Sequence, residues 1–241
     1  MEHKIKKNVA FVTIYLGKES SNVNIPVVPR QKNSYFITNR KDIQQILLHK
    51  GWEPILVDIP PINTSDVVEN EIHYTTLCKQ YRVFPQKYIQ KKYDYIVIFD
   101  NKFNVNVSGT FKTIYKPLLK AISLHPHIFI KPGQGIKKEF KKCIKYQQRY
   151  KRQESQYKKY IEEQKKLGLS INHNKHYQVG YIIYNMNHSK INKIQNTWMK
   201  HINKCGINDQ ISFNFIAQIY DEYIEEFIYN YRDDRDKFTL V

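Results

Sequence analysis

Several residue groups in this sequence have the types and spacing to act on an anionic substrate. Asp100 closes the most apolar run of the chain, Tyr95–Phe99, and is followed by Asn101 and Lys102. Open α/β sheets bind ligands at the carboxyl ends of their strands. A carboxylate there offers hard oxygen ligands to a divalent cation, and such a cation neutralises a diphosphate. Asp is also a common strand-ending turn residue, a plainer reading that asks no chemistry of it. Lys79 and Arg82 lie three apart on an expected helix, so both reach one anion; in a lysine-rich chain two solvated cations are the alternative. Asp209 and Gln210 follow a polar Cys-Gly-Ile-Asn stretch and open an apolar helical run. The position suits a helix cap, and it equally presents a carboxylate and an amide at the mouth of a site. His125 and His127 flank Pro126. Imidazoles titrate near neutrality and bind metal or phosphate, although this spacing matches no zinc pattern. The nearby Gly133-Gln134-Gly135 does not follow a strand into a phosphate-cradling turn. The chain has no Gly-x-Ser-x-Gly elbow, no Cys/His nucleophile constellation and no P-loop, which argues against serine hydrolases and P-loop kinases.

The elements that must position these residues alternate between strand and helix. Val9–Leu16 is a near-continuous β-branched and aromatic run, the pattern of a strand buried on both faces. A Gly-, Ser-, Asn- and Pro-containing loop follows, then a short strand at Tyr35–Thr38. A helix starts at Asp42 and stops at Gly51, and a third strand spans Trp52–Ile59 up to Pro60-Pro61. Residues 74–91 read as helical around Leu77, Tyr81 and Phe84, with Pro85 breaking the run. Tyr95–Phe99 is the clearest strand. Phe111–Leu124 reads as a helix kinked at Pro117, and 137–167 as one or two amphipathic helices ending at Gly168. A strand at Tyr181–Tyr184 and helices at Ile191–Ile202 and Gln210–Ile219 complete the pattern. This order predicts one α/β domain over 1–241, with a core over about 9–220 and a tail over 221–241.

Composition bounds the partners. The chain of 241 residues has a formal net charge of +17, which makes contact with nucleic acid, an anionic surface, an acidic glycan or a nucleotide diphosphate electrostatically easy. Lys, Arg and Tyr interleave through 137–167, a composition that pairs with phosphates and stacks on bases; a solvated lysine-rich face is the plainer reading. The three cysteines lie far apart and suggest neither a zinc site nor a disulfide framework. The charged amino terminus runs into an apolar stretch too short to span a membrane, with no cleavage site. The expectation is a cytoplasmic or intracellular protein without signal peptide or transmembrane segment.

In order, the pieces YFITN (35–39) with GWEPILVDI (51–59), CKQYRVFPQKY (78–88), YDYIVIFDNK (93–102), LHP (124–126), GYIIYNMNH (180–188) and the Trp198 helix running into CGINDQISFNF (205–215) resemble one family. It is the glycosyltransferase-like domain of plant proteins implicated in cell-wall and pollen glycans, distantly similar to glycosyltransferase family 8. The resemblance implies a GT-A fold: a Rossmann-like, mostly parallel mixed sheet flanked by helices. It also implies transfer of a sugar from a nucleotide-sugar donor, a UDP-sugar above all, to a glycan or protein acceptor, with retention of configuration. By the same resemblance, Asp100, with Asn101 and Lys102, occupies the metal and diphosphate motif, where manganese or magnesium binds in relatives. Lys79 and Arg82 lie near the donor phosphates, Thr13 and Asn39 line the nucleotide pocket, and Asp209 and Gln210 are catalytic residues facing the sugar or acceptor, with His125 nearby. Lys102 stands where the family's second acidic residue belongs, which argues against a metal and leaves an ammonium beside the diphosphate. The arginine that follows His-Pro in the family has no counterpart here. Two other functions compete: a non-catalytic nucleic-acid- or polyanion-binding protein using 137–167, and an inactive GT-A-fold scaffold.

Overall fold

The computed structural model describes residues 7–19, 21–29, 32–60, 62–102, 118, 120–122, 126, 128–132, 135–172 and 176–226. One seven-stranded sheet organises them: β1 (Val9–Tyr15), β2 (Ser34–Thr38), β3 (Glu53–Leu56), β4 (Tyr95–Phe99), β5 (Ile128–Pro132), β6 (Tyr177–Asn185) and β7 (Ile224–Glu226), in the order β3-β2-β1-β4-β6-β5-β7. β1 pairs in parallel with β2 on one side and β4 on the other, and β2 pairs in parallel with β3. β6 runs antiparallel to both β4 and β5, and β7 returns parallel to β5. The sheet is therefore mixed and mostly parallel, as the strand–helix alternation predicts.

Both faces of the sheet are covered, which explains why its central strands read as unbroken apolar runs. Ala10, Val12, Ile96, Ile98 and Ile182 point to one face. There they pack against α2 (Val67–Val83), α6 (Ile191–Cys205) and α7 (Asp209–Ile219), through Tyr81, Val83, Ile194, Trp198 and Phe213 among others. Val9, Phe11, Val97 and Ile183 point to the other, where Ile43, Leu47 and Trp52 of the α1 (Gln44–His49) region meet them. Trp198 is fully buried and its indole nitrogen donates to Ser212 Oγ at 3.1 Å, locking α6 against α7.

Several elements differ from expectation. α2 begins at Val67, seven residues before the expected start, because the Asp66 carboxylate accepts from the backbone N–H groups of Val68 and Glu69 and caps the first turn. It ends at Val83, and Pro85 opens a separate single-turn 3-10 helix over Pro85–Lys87. The basic stretch forms three helices, α3 (Ile136–Tyr146), α4 (Gln148–Lys151) and α5 (Glu154–Lys166). β5 and β7 were not expected at all. The helix expected over Phe111–Leu124, with its Pro117 kink, lies outside the described residues except for Leu118 and 120–122.

Candidate active site

The chain passes from β1 out to β2 and β3, then crosses back to place β4 on the opposite side of β1. The carboxyl ends of β1 and β4 therefore diverge at a topological switch point, where sheets of this kind open a crevice. A cleft of about 320 Å³ lies there, with Ile14–Leu16 from the end of β1 and Asp100–Lys102 from the end of β4 in its lining. β6, running the other way, brings its first residues to the same end, and Asp100 N–H donates to Gly180 O at 2.9 Å. A Cβ at position 180 would lie 2.9 Å from Asp100 Oδ2, so glycine lets the carboxylate rest against the strand.

α2 and α7 close the cleft from above. Lys79 and Arg82, on one face of α2, and Asp209 and Gln210, the first two residues of α7, all line it. Asp209 Oδ2 sits 2.8 Å from Lys79 Nζ and 3.7 Å from Arg82 Nε. The side chains of Lys79 and Asp209 are each only 8% exposed, so this is a buried pair. Burial works against the Asp209 carboxylate, but Lys79 and then Arg82 outweigh it and hold its pKa below the ordinary value. Arg82 also donates to Asp100 Oδ1 and to the Val179 carbonyl. Burial disfavours its charge too, and Asp100 and Asp209 together more than compensate, so its pKa lies above the usual arginine value. Arg82 is thus the hub that ties the end of β4 to the start of α7.

Gln210 is oriented from behind. Its Nε2 donates to Glu139 Oε1 of α3 at 3.0 Å, and a carboxylate only accepts, so the amide's carbonyl oxygen is turned away from Glu139. Cys78, on the cleft wall, has its thiol pushed up to about 11 by desolvation, so it is protonated at neutral pH and no nucleophile.

The loop after β1 is pinned over the cleft. Arg40, 4% exposed, donates from Nη1 to Lys18 O (2.6 Å) and Ser21 O (2.7 Å), while Nε and Nη2 form a bidentate pair with Asp42. Asn24 and Asn101 exchange amide hydrogen bonds with each other's backbone carbonyls at 2.7 and 3.2 Å.

Seven of the residues singled out in the sequence meet in this one cleft: Lys79, Arg82, Asp100, Asn101, Lys102, Asp209 and Gln210. Two others do not line it. Thr13 is fully buried and its hydroxyl donates to the Phe99 carbonyl at 2.9 Å, so it stitches β1 to β4. Asn39 spends its amide on the backbone N–H and carbonyl of Gly17, at 3.0 and 3.1 Å, and so supports the pinned loop. His125 lies outside the described residues. Arg149 and Tyr150 of α4, not singled out individually from the sequence, also line the cleft. Arg149 donates to Thr75 Oγ1 of α2 at 3.3 Å, which carries the basic segment to the site. Other tyrosines of that segment turn inward: Tyr157 and Tyr160 pack with Ile211 and Phe215 in a satellite core.

The donor set does not suit a divalent cation. Asp100 is already paired with Arg82, its neighbour Lys102 is cationic, and no group of three or more His, Cys, Asp or Glu gathers among the described residues.

No protein-family model matches the sequence, and no curated protein matches it in sequence. The fold, however, is shared with a solved structure. Mouse xyloside xylosyltransferase 1, in its apo form, superposes with a TM-score of 0.52 over 91% of this chain and 84% of that one, at 10% identity. The galactosyltransferase LgtC, in complex with donor and acceptor sugar analogs, gives 0.46 over 90% and 72%, at 12% identity. The bifunctional glycosyltransferase WbbM gives 0.43 over 94% of this chain and 40% of its own, at 12% identity. The chain therefore has the GT-A-type fold, an α/β architecture with a mostly parallel mixed sheet flanked by helices. No helix among the described residues is long and apolar enough to cross a membrane.

Proposed function

We propose that this protein is a glycosyltransferase that moves a sugar from a nucleotide-sugar donor, a UDP-sugar first among the candidates, to a hydroxyl of a glycan or protein acceptor. The observation that carries the reading is the convergence of Lys79, Arg82 and Lys102 with Asp209 and Gln210 in one cleft at the switch point of the sheet. The fold likeness to a xylosyltransferase supports it.

Glycosyl transfer breaks the bond between the anomeric carbon and the diphosphate oxygen and forms one to the acceptor oxygen, through an oxocarbenium-like centre. Negative charge grows on the leaving diphosphate while positive charge grows on the sugar. A site accelerates the step by presenting fixed cations to the first and fixed acceptors to the second. In this reading the exposed Lys102 meets the diphosphate, and Arg82 and Arg149 in the lining add positive charge behind it. Asp209, kept ionised by Lys79, and the carbonyl oxygen of Gln210, kept outward by Glu139, face the sugar. The reading includes retention: the acceptor attacks from the face the diphosphate leaves, and its proton passes to the departing phosphate oxygen. The exposed lysines of α3 and α5 add a positive surface that attracts anionic acceptors or other anionic partners.

Calorimetric titration of the purified chain with a panel of UDP-, GDP-, ADP- and CMP-sugars tests the reading. Saturable binding of at least one donor is expected, weakened about tenfold in Lys102→Ala, whose side chain is exposed and outside the core. No binding across the panel, with or without manganese, refutes it.

A further inference from the structure

We propose that this cleft binds a diphosphate through protein cations alone, with Arg82 standing where a divalent metal would sit beside Asp100. The inference deepens the nucleotide-sugar reading and, for its biological meaning, rests on it.

A metal bound at the end of β4 needs free carboxylate oxygens. Asp100 is partly committed: Oδ1 is paired with Arg82 Nη2, and Oδ2 lies beside Gly180 on a side chain that is 41% exposed. Arg82 is not a loose surface group that an ion displaces cheaply. It is also hydrogen-bonded to the Val179 carbonyl and lies 3.7 Å from Asp209, so it bridges the two acids of the cleft. A dication at Asp100 would sit against this guanidinium, which stays protonated under all ordinary conditions. Two residues further on, where a second carboxylate would complete a metal site, Lys102 contributes another positive charge to the lining.

The charge balance points the same way. Among the described residues, the cleft lining holds four cations, Lys79, Arg82, Lys102 and Arg149, and two carboxylates, Asp100 and Asp209. These groups carry a formal charge of +2 before any ligand enters. A site of paired acids plus a dication is neutral by comparison, and it depends on the ion to attract phosphate. This cleft is already electropositive, with the exposed ammonium of Lys102 in its lining and the guanidinium charges of Arg82 and Arg149 beside it. Asp209 does not spoil it, because Lys79 engages that carboxylate from the buried side.

Isothermal titration calorimetry of the full chain decides the matter, with inorganic pyrophosphate and with UDP, GDP, ADP and CDP, each in excess EDTA and again with manganese. The expected result is binding in EDTA that weakens with rising salt and falls about tenfold in Lys102→Ala. Asp100→Asn, which removes an anion from the cleft, keeps or tightens that binding. Binding that appears only with manganese and is lost in Asp100→Asn overturns the inference while leaving the transferase reading in place. Pyrophosphate binding in EDTA without affinity for any nucleotide upholds the cation site and removes the transferase reading. No binding of any probe in either condition defeats both.

Discussion

Replacing Lys79 by methionine tests the electrostatic core of the site. The ammonium lies 2.8 Å from Asp209 Oδ2, and both side chains are 8% exposed. At an effective dielectric of about 20, that separation corresponds to roughly 6 kcal/mol of attraction. Arg82 Nε, at 3.7 Å from the same oxygen, supplies roughly 4.5 kcal/mol on the same scale and remains in the variant. Removing one partner of a buried pair costs about 3–5 kcal/mol when the other charge is stranded. Arg82 prevents full stranding, so Lys79→Met should lose about 2–3 kcal/mol at pH 7. The pH dependence has a definite sign. In the native protein the Asp209 pKa is depressed, so its stabilising contribution is present above the unfolded carboxylate value and disappears as pH falls through the folded one. Without Lys79, burial pulls that pKa upward, and the variant's Asp209 protonates at a higher pH than the native one. The deficit is therefore largest near neutrality and shrinks on acidification. Equilibrium urea unfolding of both proteins from pH 7 down to pH 4 measures it. A deficit below about 0.5 kcal/mol at neutrality, or one that grows as pH falls, would refute the reasoning.

Three further changes probe the supports of the site. Gly180→Ala drives a Cβ to within 2.9 Å of Asp100 Oδ2 and displaces the Asp100–Arg82 pair; the melting temperature should drop by about 2–4 °C in a thermal scan. Arg40→Ala strands the carbonyls of Lys18 and Ser21, and should cost about 2–3 kcal/mol with faster proteolysis in the 17–24 loop. Trp198→Phe loses the hydrogen bond to Ser212 and leaves space between α6 and α7, for a loss of about 1–3 kcal/mol in denaturant unfolding.

Much of this architecture was legible from local sequence because burial on both faces leaves an unmistakable trace. β1 and β4 are unbroken apolar runs for that reason, and Asp100 marks the point where β4 leaves the core. The Asp209-Gln210 pair was visible as a polar doublet ahead of an apolar helix. The start of α2 was missed because its first turns carry no apolar stripe and bury Asn70, although the Asp66-to-Glu69 capping pattern was there to be read. β5 and β7 were missed because short strands at the far side of a sheet are specified by their pairing with β6 and with each other, which is non-local. Arg149 and Tyr150 carried no signal of their own in a run of similar residues. Only the packing of α4 against α2 selects them for the cleft. Thr13 and Asn39 belong to elements around the site, and their hydrogen bonds hold backbone.

The central claim is that the cleft performs sugar transfer, and turnover tests it most directly. Release of nucleoside diphosphate from the donor panel should be detectable for at least one nucleotide-sugar. Gln210→Ala should reduce that rate by about 10²–10³-fold, as expected when a group that stabilises the transition state is lost, while donor affinity changes little. Absence of turnover with every donor and a broad set of sugar and protein acceptors, or a rate indifferent to Gln210, would contradict the account.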